Sequence, residues 1–262
     1  MVLSIRGTLS ARDVLTDLCC TAEDFLAHGE KDGFRTEIKS RAHHGMLEGA
    51  RGVAEATQEI IKSELRANPG YDLVIVGHSL GGGTAAVLGT LWRNVFPTLK
   101  VFAYGCPCVG PLEAHPTRDN FIISVVGKGD PFSCLSLGHL AEITSIVSKL
   151  CEDNDLRNNV LGRTQSDIKS MDYADLSWCY DLMTSFRGEI NAEKFYPPGR
   201  ILLMGGNQFA TDDEITLEEV TQEEFADLKV HPRMFDLSRH VPQRYETVLR
   251  RLYSNVEGNG GG

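Results

Sequence analysis

A serine framed by glycines is the feature of this sequence that points most directly to chemistry. The run 72–83 reads DLVIVGHSLGGG and continues into an Ala-rich segment, 84–92. This pattern predicts a buried strand, a sharp turn at Ser79 and a helix, which together form a nucleophile elbow, Gly-x-Ser-x-Gly. Gly77 and Gly81 are needed because larger side chains two residues either side of the serine would collide. The segment therefore predicts a serine nucleophile, the alternative being a glycine-rich turn in some other α/β fold.

A serine nucleophile needs a base within hydrogen-bond reach and a carboxylate that orients the base. In folds with this elbow, the chain order is serine, acid, histidine, with each residue on a loop at the carboxyl ends of the strands. The candidate acid is Asp130, in the loop 127–132 after a predicted strand, whereas Asp119 precedes that strand and is a poor rival. The candidate base is His240, just before a predicted final helix, and it is favoured over His231.

An acyl-transfer site also needs N–H donors for the oxyanion. One candidate is the N–H of Leu80, the residue after the nucleophile, and the other is Thr8, at the end of the first predicted strand. Thr8 could offer its hydroxyl as well, and Gly7 leaves room for an acyl group. The alternative for Thr8 is a capping residue in an N-terminal turn. His78, between Gly77 and the serine, completes the elbow.

The order of the predicted elements indicates an α/β fold. Strands are predicted at 2–6, 72–76, 99–104, 121–126 and 200–204, and helices at 10–20, 45–66, 84–92 and 242–253, with residues 135–187 largely helical. Because strands and helices alternate, we expect a mostly parallel central sheet with helices on both faces. Residues 21–40 are polar and are expected to be irregular, and the acidic segment 212–224 is expected to be a solvated face or loop.

The composition excludes several classes of function. The 262 residues are 42% hydrophobic and carry a net charge of −10, which disfavours nucleic acid as a partner and gives no attraction to anionic lipid. No segment approaches about 18 consecutive apolar residues, and the N-terminus is too soon polar for a signal peptide. The seven cysteines are irregularly spaced, which favours a reduced, cytoplasmic setting. We expect no metal and no cofactor, since neither a His/Cys cluster at ligand spacing nor a phosphate-binding loop is present.

Four groups of residues together resemble class 3 (fungal-type) lipases, and most of all the catalytic domains of sn-1-specific diacylglycerol lipases. The groups are SIRGTLS at 4–10, HHGM at 43–46, GHSLGGG at 77–83 and HVP at 240–242. The resemblance covers about residues 2–150 and 196–250 and is weak between them. It implies an α/β-hydrolase fold and a helical insertion before the catalytic histidine. It assigns the nucleophile, acid and base to Ser79, Asp130 and His240.

The resemblance also implies an activity and an organisation. The activity is hydrolysis of the carboxylic ester bond of a glycerolipid, a di- or monoacylglycerol, through an acyl-enzyme on Ser79. Thr8 and Leu80 form the oxyanion hole, and His43 is structural support. Residues 1–257 are expected to form a single lipase domain with 135–195 as a helical cap, followed by a disordered Gly-rich tail, 258–262. The substrate would be met through peripheral contact with a membrane or lipid droplet; protein partners are unknown.

Two other functions stay open at this point. An esterase acting on non-glyceride esters would use the same three residues, and a catalytically silent lipase-like module would use the fold for protein interaction. The chain opens directly in a core strand, where α/β-hydrolase sheets have earlier strands. This start suggests a truncated chain, a short isoform or a domain of a larger protein. Diacylglycerol lipases carry a transmembrane region ahead of the catalytic domain, so integral membrane attachment is expected only if a longer native chain supplies one.

Overall fold

The computed structural model describes residues 1–7, 21–31, 34–111, 120–133, 136–170, 185, 193–206, 215–225 and 237–259. The strands are β1 (Val2–Ile5), β2 (Ala22–Lys31), β3 (Phe34–His43), β4 (Val74–His78), β5 (Lys100–Tyr104), β6 (Ile122–Gly127), β7 (Arg200–Met204) and β8 (Leu217–Val220). The α-helices are α1 (His44–Ala67), α2 (Leu80–Trp92), α3 (Leu137–Glu152), α4 (Asn154–Ser170) and α5 (Pro242–Asn259). Short 3₁₀ helices lie at Gln222–Phe225 and Leu237–Arg239.

Six strands form one central sheet in the order β1-β4-β5-β6-β7-β8. The first five are parallel and β8 joins the edge antiparallel to β7. Parallel strands buried on both faces read as continuous Val/Ile-rich runs, which is the pattern of β4 and β6. The predicted fold class, an α/β fold with a mostly parallel sheet between helices, is confirmed.

The two faces of the sheet are covered by different helices. Ile75, Val101 and Ile122 are register partners across β4, β5 and β6, and they pack in one core with α1 and α2. Tyr104 and Val125 are also register partners but point the other way, because side chains alternate along a strand. That second face packs against α5. The carboxyl ends of β4, β5 and β6 therefore meet at one edge, between helices from both faces.

The prediction that residues 21–40 are irregular is wrong. β2 and β3 form an antiparallel hairpin with ten register pairs. The many charged residues obscure a period-two pattern in this segment: Phe25 and Ala27 are buried, whereas Asp24 is exposed to solvent. Asp24 pairs across the hairpin with Arg41, whose Nε lies 3.3 Å from Asp24 Oδ1. A strand with one face in water needs only alternate apolar residues, so overall polarity is a poor guide. The acidic segment 212–224 likewise contains a strand, β8, at the exposed edge of the sheet.

The predicted start of the helix after the elbow differs from the observed one. α2 begins at Leu80, directly after the serine, rather than at residue 84. Gly82 and Gly83 are poor helix formers, but they are helical here because α2 lies very close to its neighbours. A Cβ on Gly82 would lie 3.1 Å from the Cys106 Cβ, and one on Gly83 would lie 2.5 Å from the Met46 Sδ. Close packing of the helix thus outweighs intrinsic propensity.

The predicted cap, 135–195, contains α3 and α4, which are separated at Asp153. The final helix α5 continues to Asn259, so the first two residues of the predicted tail are helical and 260–262 lie outside the described residues. The helix predicted at 10–20 also lies outside them. Within the described part of the chain, no helix has the length and hydrophobicity needed to cross a bilayer.

Candidate active site

Ser79 occupies a strained backbone position at the end of β4. Its φ is 57° and its ψ is −132°, a left-handed conformation that costs a non-glycine residue about 1–3 kcal/mol. The turn is held by backbone bonds: the Ser79 N–H donates to the Tyr104 oxygen at 2.9 Å, and the Ser79 oxygen accepts from Gly82 N at 2.9 Å. A Cβ on Gly77 would collide with the backbone of Gly81. The elbow therefore exists only with glycine at this position, as the motif requires.

A continuous chain of hydrogen bonds connects the serine to a buried carboxylate. Ser79 Oγ lies 2.8 Å from His240 Nε2. On the other side of the ring, His240 Nδ1 lies 2.9 Å from Asp130 Oδ2 and 3.0 Å from Oδ1. An ionised carboxylate can only accept, so Nδ1 carries the proton and Nε2 accepts from the serine hydroxyl. The structure thus brings together the three residues that the sequence singled out from far-apart positions.

Asp130 is fully buried and is surrounded by hydrogen-bond donors. Oδ1 accepts from the backbone N–H of Phe132 at 2.9 Å and of Ser133 at 3.4 Å. Oδ2 accepts from the Tyr245 hydroxyl at 2.6 Å, and that hydroxyl accepts in turn from Gly127 N at 2.9 Å. Burial first, and then the charge of Asp130, raises the pKa of Tyr245 well above its usual value. The phenol therefore stays protonated and donates to the carboxylate at every pH of interest.

The histidine of the elbow, His78, binds the backbone carbonyl of the base. His78 Nε2 donates to the His240 carbonyl oxygen at 2.7 Å, and the two rings lie 4.8 Å apart. Burial, and then the proximity of His240, lowers the pKa of His78 to about 4. His78 is thus neutral near pH 7 and adds no positive charge beside the base. On the other side of the base, the Phe132 ring centroid lies 4.4 Å from that of His240.

The predicted oxyanion donors are described only in part. Leu80 is the first residue of α2, and the first N–H groups of a helix have no acceptor within the helix. Gly7 lies against the elbow, because a Cβ there would be 3.4 Å from the Ser79 Cβ and 2.5 Å from the His78 oxygen. Thr8 itself lies outside the described residues.

Neither His43 nor Cys106 belongs to the hydrogen-bond chain from Ser79 to Asp130. His43 is buried, and its backbone N–H donates to the Val109 oxygen at 3.0 Å, next to the start of α1. Burial raises the pKa of the Cys106 thiol to about 12, so this cysteine is not a nucleophile at neutral pH. Asp119 and His231 lie outside the described residues. Among the residues described, no group of three or more His, Cys, Asp or Glu is placed to hold a metal ion.

Sequence reasoning missed Tyr245 and the bond from His78 to the base. Tyr245 follows the candidate base by five residues, at the first turn of α5, where an aromatic residue ordinarily indicates the apolar face of a helix. A buried Tyr needs a partner for its hydroxyl, and the carboxylate is within reach once α5 lies across the ends of β5 and β6. No spacing in the sequence could have shown that contact.

The sheet order, the elbow after β4 and the hydrogen-bonded Ser-His-Asp set define an α/β-hydrolase fold. A family model described as Lipase (class 3) matches residues 2–137, slightly more than half of the chain. The chain belongs to this class 3 lipase family of carboxylic ester hydrolases.

Individual relatives agree with the family. Diacylglycerol lipase-alpha of Rattus norvegicus is 41% identical over 150 residues, which are 53% of this chain and 14% of that protein. Secreted mono- and diacylglycerol lipase A of Penicillium cyclopium is 32% identical over 111 residues, 42% of this chain and 33% of that protein. The chain thus spans only a small part of the length of these relatives. A crystal structure of a mutant form of MDLA from Penicillium cyclopium shares the fold, with a TM-score of 0.55 at 19% identity, over 92% of this chain and 68% of that one.

Proposed function

We propose that the protein hydrolyses the carboxylic ester bond of a glycerolipid through an acyl-enzyme on Ser79. The observation that carries this proposal is the hydrogen-bond chain from Ser79 Oγ through the His240 ring to Asp130. A hydroxyl is a weak nucleophile near neutral pH unless a base removes its proton as it attacks. A base at 2.8 Å, oriented by a buried carboxylate at 2.9 Å, meets that need.

The chemistry follows from the roles that each atom can take. His240 Nε2 accepts the Ser79 proton while Oγ attacks the ester carbonyl, and Asp130 stabilises the imidazolium that forms. His240 then gives the proton to the leaving glycerol oxygen, and the acyl group stays on Oγ. Water, deprotonated by the same Nε2, attacks the acyl-enzyme and releases the fatty acid. The backbone N–H of Leu80 is the first oxyanion donor, at the positive end of α2.

Thr8 is the second oxyanion donor in this proposal. The approach of Gly7 to the elbow supports it, because Gly7, to which Thr8 is joined, lies against Ser79. Thr8→Val removes the hydroxyl and keeps the shape. Loss of one oxyanion donor lowers kcat by about 10²-fold. Thr8→Val should show this loss if the hydroxyl, rather than the backbone N–H, donates to the oxyanion.

The substrate class rests on the relatives. One relative is named a diacylglycerol lipase and another a mono- and diacylglycerol lipase, which supports a di- or monoacylglycerol as substrate for this chain. Such lipids reside in membranes or droplets, so the protein works at a lipid surface in peripheral contact. We further propose that residues 135–195, which contain α3 and α4, form a cap beside the site within a single domain.

Labelling with a fluorophosphonate probe tests the proposal directly. The purified chain should be modified at Ser79, and labelling should be lost in Ser79→Ala and His240→Ala but kept in Ser254→Ala, an exposed serine on α5. Ester hydrolysis should fall by about 10⁴-fold or more in Ser79→Ala. More than a few per cent of activity left in that variant would show that the assignment is wrong.

A substrate comparison tests the finer statement. Dioleoylglycerol in mixed micelles and p-nitrophenyl butyrate should both be hydrolysed, with the glycerolipid preferred in kcat/KM. Hydrolysis of the soluble ester alone would replace the lipase by an esterase for non-glyceride esters. A folded chain that neither labels nor turns over either substrate would favour a catalytically silent module.

A further inference from the structure

One buried guanidinium group connects the loop of the acid with the turn of the base. Arg244 Nη1 donates to the Arg239 carbonyl oxygen at 2.8 Å. Arg244 Nη2 donates to the carbonyl oxygens of Gly206 at 2.8 Å and Lys128 at 3.4 Å. The three acceptors lie in three separate segments: the loop after β6, the loop after β7 and the turn before α5.

The burial of Arg244 shows that these bonds matter. The residue is 6% exposed, and a buried charge is costly unless hydrogen bonds replace its hydration. Here backbone carbonyls at the carboxyl ends of the strands provide that replacement. The planar guanidinium fork can reach three diverging acceptors at once, whereas a lysine ammonium on a flexible stem cannot match the same geometry.

The acid loop is shaped to receive the two arginines. A Cβ on Gly127 would lie 2.7 Å from Arg244 Nη1, so this strand end approaches the guanidinium more closely than another residue would allow. Gly129 has a φ of +76°, and a Cβ there would collide with Arg239. Arg239 Nη1 itself donates to the Lys128 oxygen at 3.2 Å. The Lys128 carbonyl therefore accepts from both arginines.

The carbonyls that Arg244 binds lie next to the reacting groups along the chain. Lys128 precedes the acid by two residues, and Arg239 directly precedes the base. The His240 carbonyl is bound separately by His78, as described above. Movement of either segment would lengthen the bond from His240 Nδ1 to Asp130.

We propose that Arg244 is a positioning residue that fixes the loop of Asp130 relative to the turn that carries His240. This inference rests on the proposed function, but the hydrogen bonds described for Arg244 go to backbone carbonyls rather than to the side chains of the reacting residues. It acts through Asp130 and His240, whose relative placement it sets. A misplacement of about 1 Å in such a pair lowers turnover by about 10²-fold.

The test compares Arg244→Met, Arg244→Lys and a matched control, Arg250→Met. Arg250 lies on the same helix with an exposed side chain, so its substitution removes the same charge without touching the loops. Arg244→Met should lower kcat on p-nitrophenyl butyrate by about 10- to 100-fold with KM changed less than about threefold. Arg244→Lys should recover part of that loss, and Arg250→Met should match the wild type. Circular dichroism and thermal melts keep all assays well below each melting temperature.

A pH profile separates positioning from general destabilisation. Removal of the Arg244 charge by itself favours the imidazolium, so the profile is read in Arg244→Lys, which keeps that charge. There, weaker contact between His240 and Asp130 stabilises the imidazolium less, and the acid limb of kcat/KM should move to lower pH. A loss of stability alone would leave that limb in place. Wild-type kcat in a folded Arg244→Met chain, or an unshifted profile in Arg244→Lys, would overturn the proposal. If Arg244→Met does not fold, kcat and the profile of Arg244→Lys decide.

A spectroscopic readout keeps this inference apart from the proposed function. The proton between His240 Nδ1 and Asp130 should give a far-downfield ¹H NMR resonance, identified by its loss in His240→Ala. That resonance should broaden or disappear in Arg244→Met and persist in Arg250→Met, even if the wild type hydrolyses no ester tested. An unchanged resonance in Arg244→Met would refute the positioning role, whereas an inactive wild type with this resonance pattern would refute only the proposed function.

Discussion

The Tyr245 hydroxyl makes two bonds that Tyr245→Phe removes without changing the shape of the ring. It donates to Asp130 Oδ2 at 2.6 Å and accepts from Gly127 N at 2.9 Å, and both partners are buried. A hydrogen bond to a charged group contributes about 1.5–3 kcal/mol, and a buried N–H left without an acceptor costs about 1–3 kcal/mol. We therefore expect the free energy of unfolding to fall by about 3 kcal/mol.

The same substitution should also affect catalysis. Asp130 keeps its two backbone donors, Phe132 N and Ser133 N, so the carboxylate loses one of three fixed contacts. A partly loosened acid should lower kcat by about tenfold, less than the 10²-fold expected for a displacement of about 1 Å. KM should change little, because the hydroxyl lies behind the carboxylate and away from the serine.

Urea titration and steady-state kinetics measure the two effects, with Tyr71→Phe as the control. Tyr71 is 62% exposed, so losing its hydroxyl should change stability by less than about 0.5 kcal/mol. A drop of about 3 kcal/mol corresponds to a melting temperature lower by about 6–12 °C in a chain of this size. If Tyr245→Phe matched the control in both stability and kcat, the bonds to Asp130 and Gly127 would not have the importance assigned to them.

Three further perturbations have directions set by the structure. The fold lowers the pKa of His78 to about 4 from its ordinary 6.5, so the free energy of unfolding should fall by up to about 3 kcal/mol as the pH drops from 6.5 towards 4. Urea midpoints measured across this pH range should show that His78→Gln lacks this part of the pH dependence. Gly52→Ala, at an exposed position of helix α1 with open space around its Cβ position, should raise stability by about 0.5–1 kcal/mol. Gly77→Ala should abolish fluorophosphonate labelling because its Cβ would collide with the elbow. Glu142→Gln removes the charge of a carboxylate whose Oε1 lies 3.0 Å from Lys194 Nζ, with both side chains largely buried, and should cost about 3 kcal/mol in thermal or urea unfolding. An unchanged midpoint in the Glu142 variant would mean that water or another group already compensates the lysine.

The parts of the fold that the sequence predicted are those with strong local patterns. β4, the elbow and α2 form one unbroken segment in which apolar run, glycines and Ala-rich helix follow each other, so each element supports the next. The strand β7 was predicted with its observed bounds, 200–204, because a Pro-Pro-Gly turn precedes an apolar run. The hairpin of β2 and β3 was not predicted, for the opposite reason. One of its faces is exposed to solvent, and its charged residues conceal the alternation of apolar and polar residues that defines a strand.

In the candidate site, too, the residues with a local sequence signal were predicted and those placed by long-range contacts were not. The serine was found from local sequence, and the acid and base were chosen by their order after it, so their adjacency in the structure is new information; their catalytic roles stay predictions. Tyr245 and Arg244 could not be found from order or spacing. The Tyr245 hydroxyl binds a carboxylate 115 residues away, and Arg244 binds, besides Arg239, the backbone carbonyls of Gly206 and Lys128, which are 38 and 116 residues away. Contacts of this kind depend on where α5 crosses the sheet, and one sequence carries no signal for that placement.

Strand spacing explains why one imidazole can connect the serine to the acid. Ser79 follows β4 and Asp130 follows β6, two positions along the sheet and about 9–10 Å apart at the usual strand separation. Hydrogen bonds of 2.8 and 2.9 Å on either side of an imidazole ring bridge that gap once the side chains lean towards each other. The intervening strand β5 must therefore end without a side chain in the way. The residue directly after β5 is Gly105, whose φ is +53°. A Cβ there would lie 3.2 Å from Asp130 Oδ2 and 3.0 Å from the Tyr245 hydroxyl. A side chain directly after the middle strand would thus crowd the acid and its tyrosine in a strained backbone conformation, although less severely than a side chain at Gly77 would crowd the elbow.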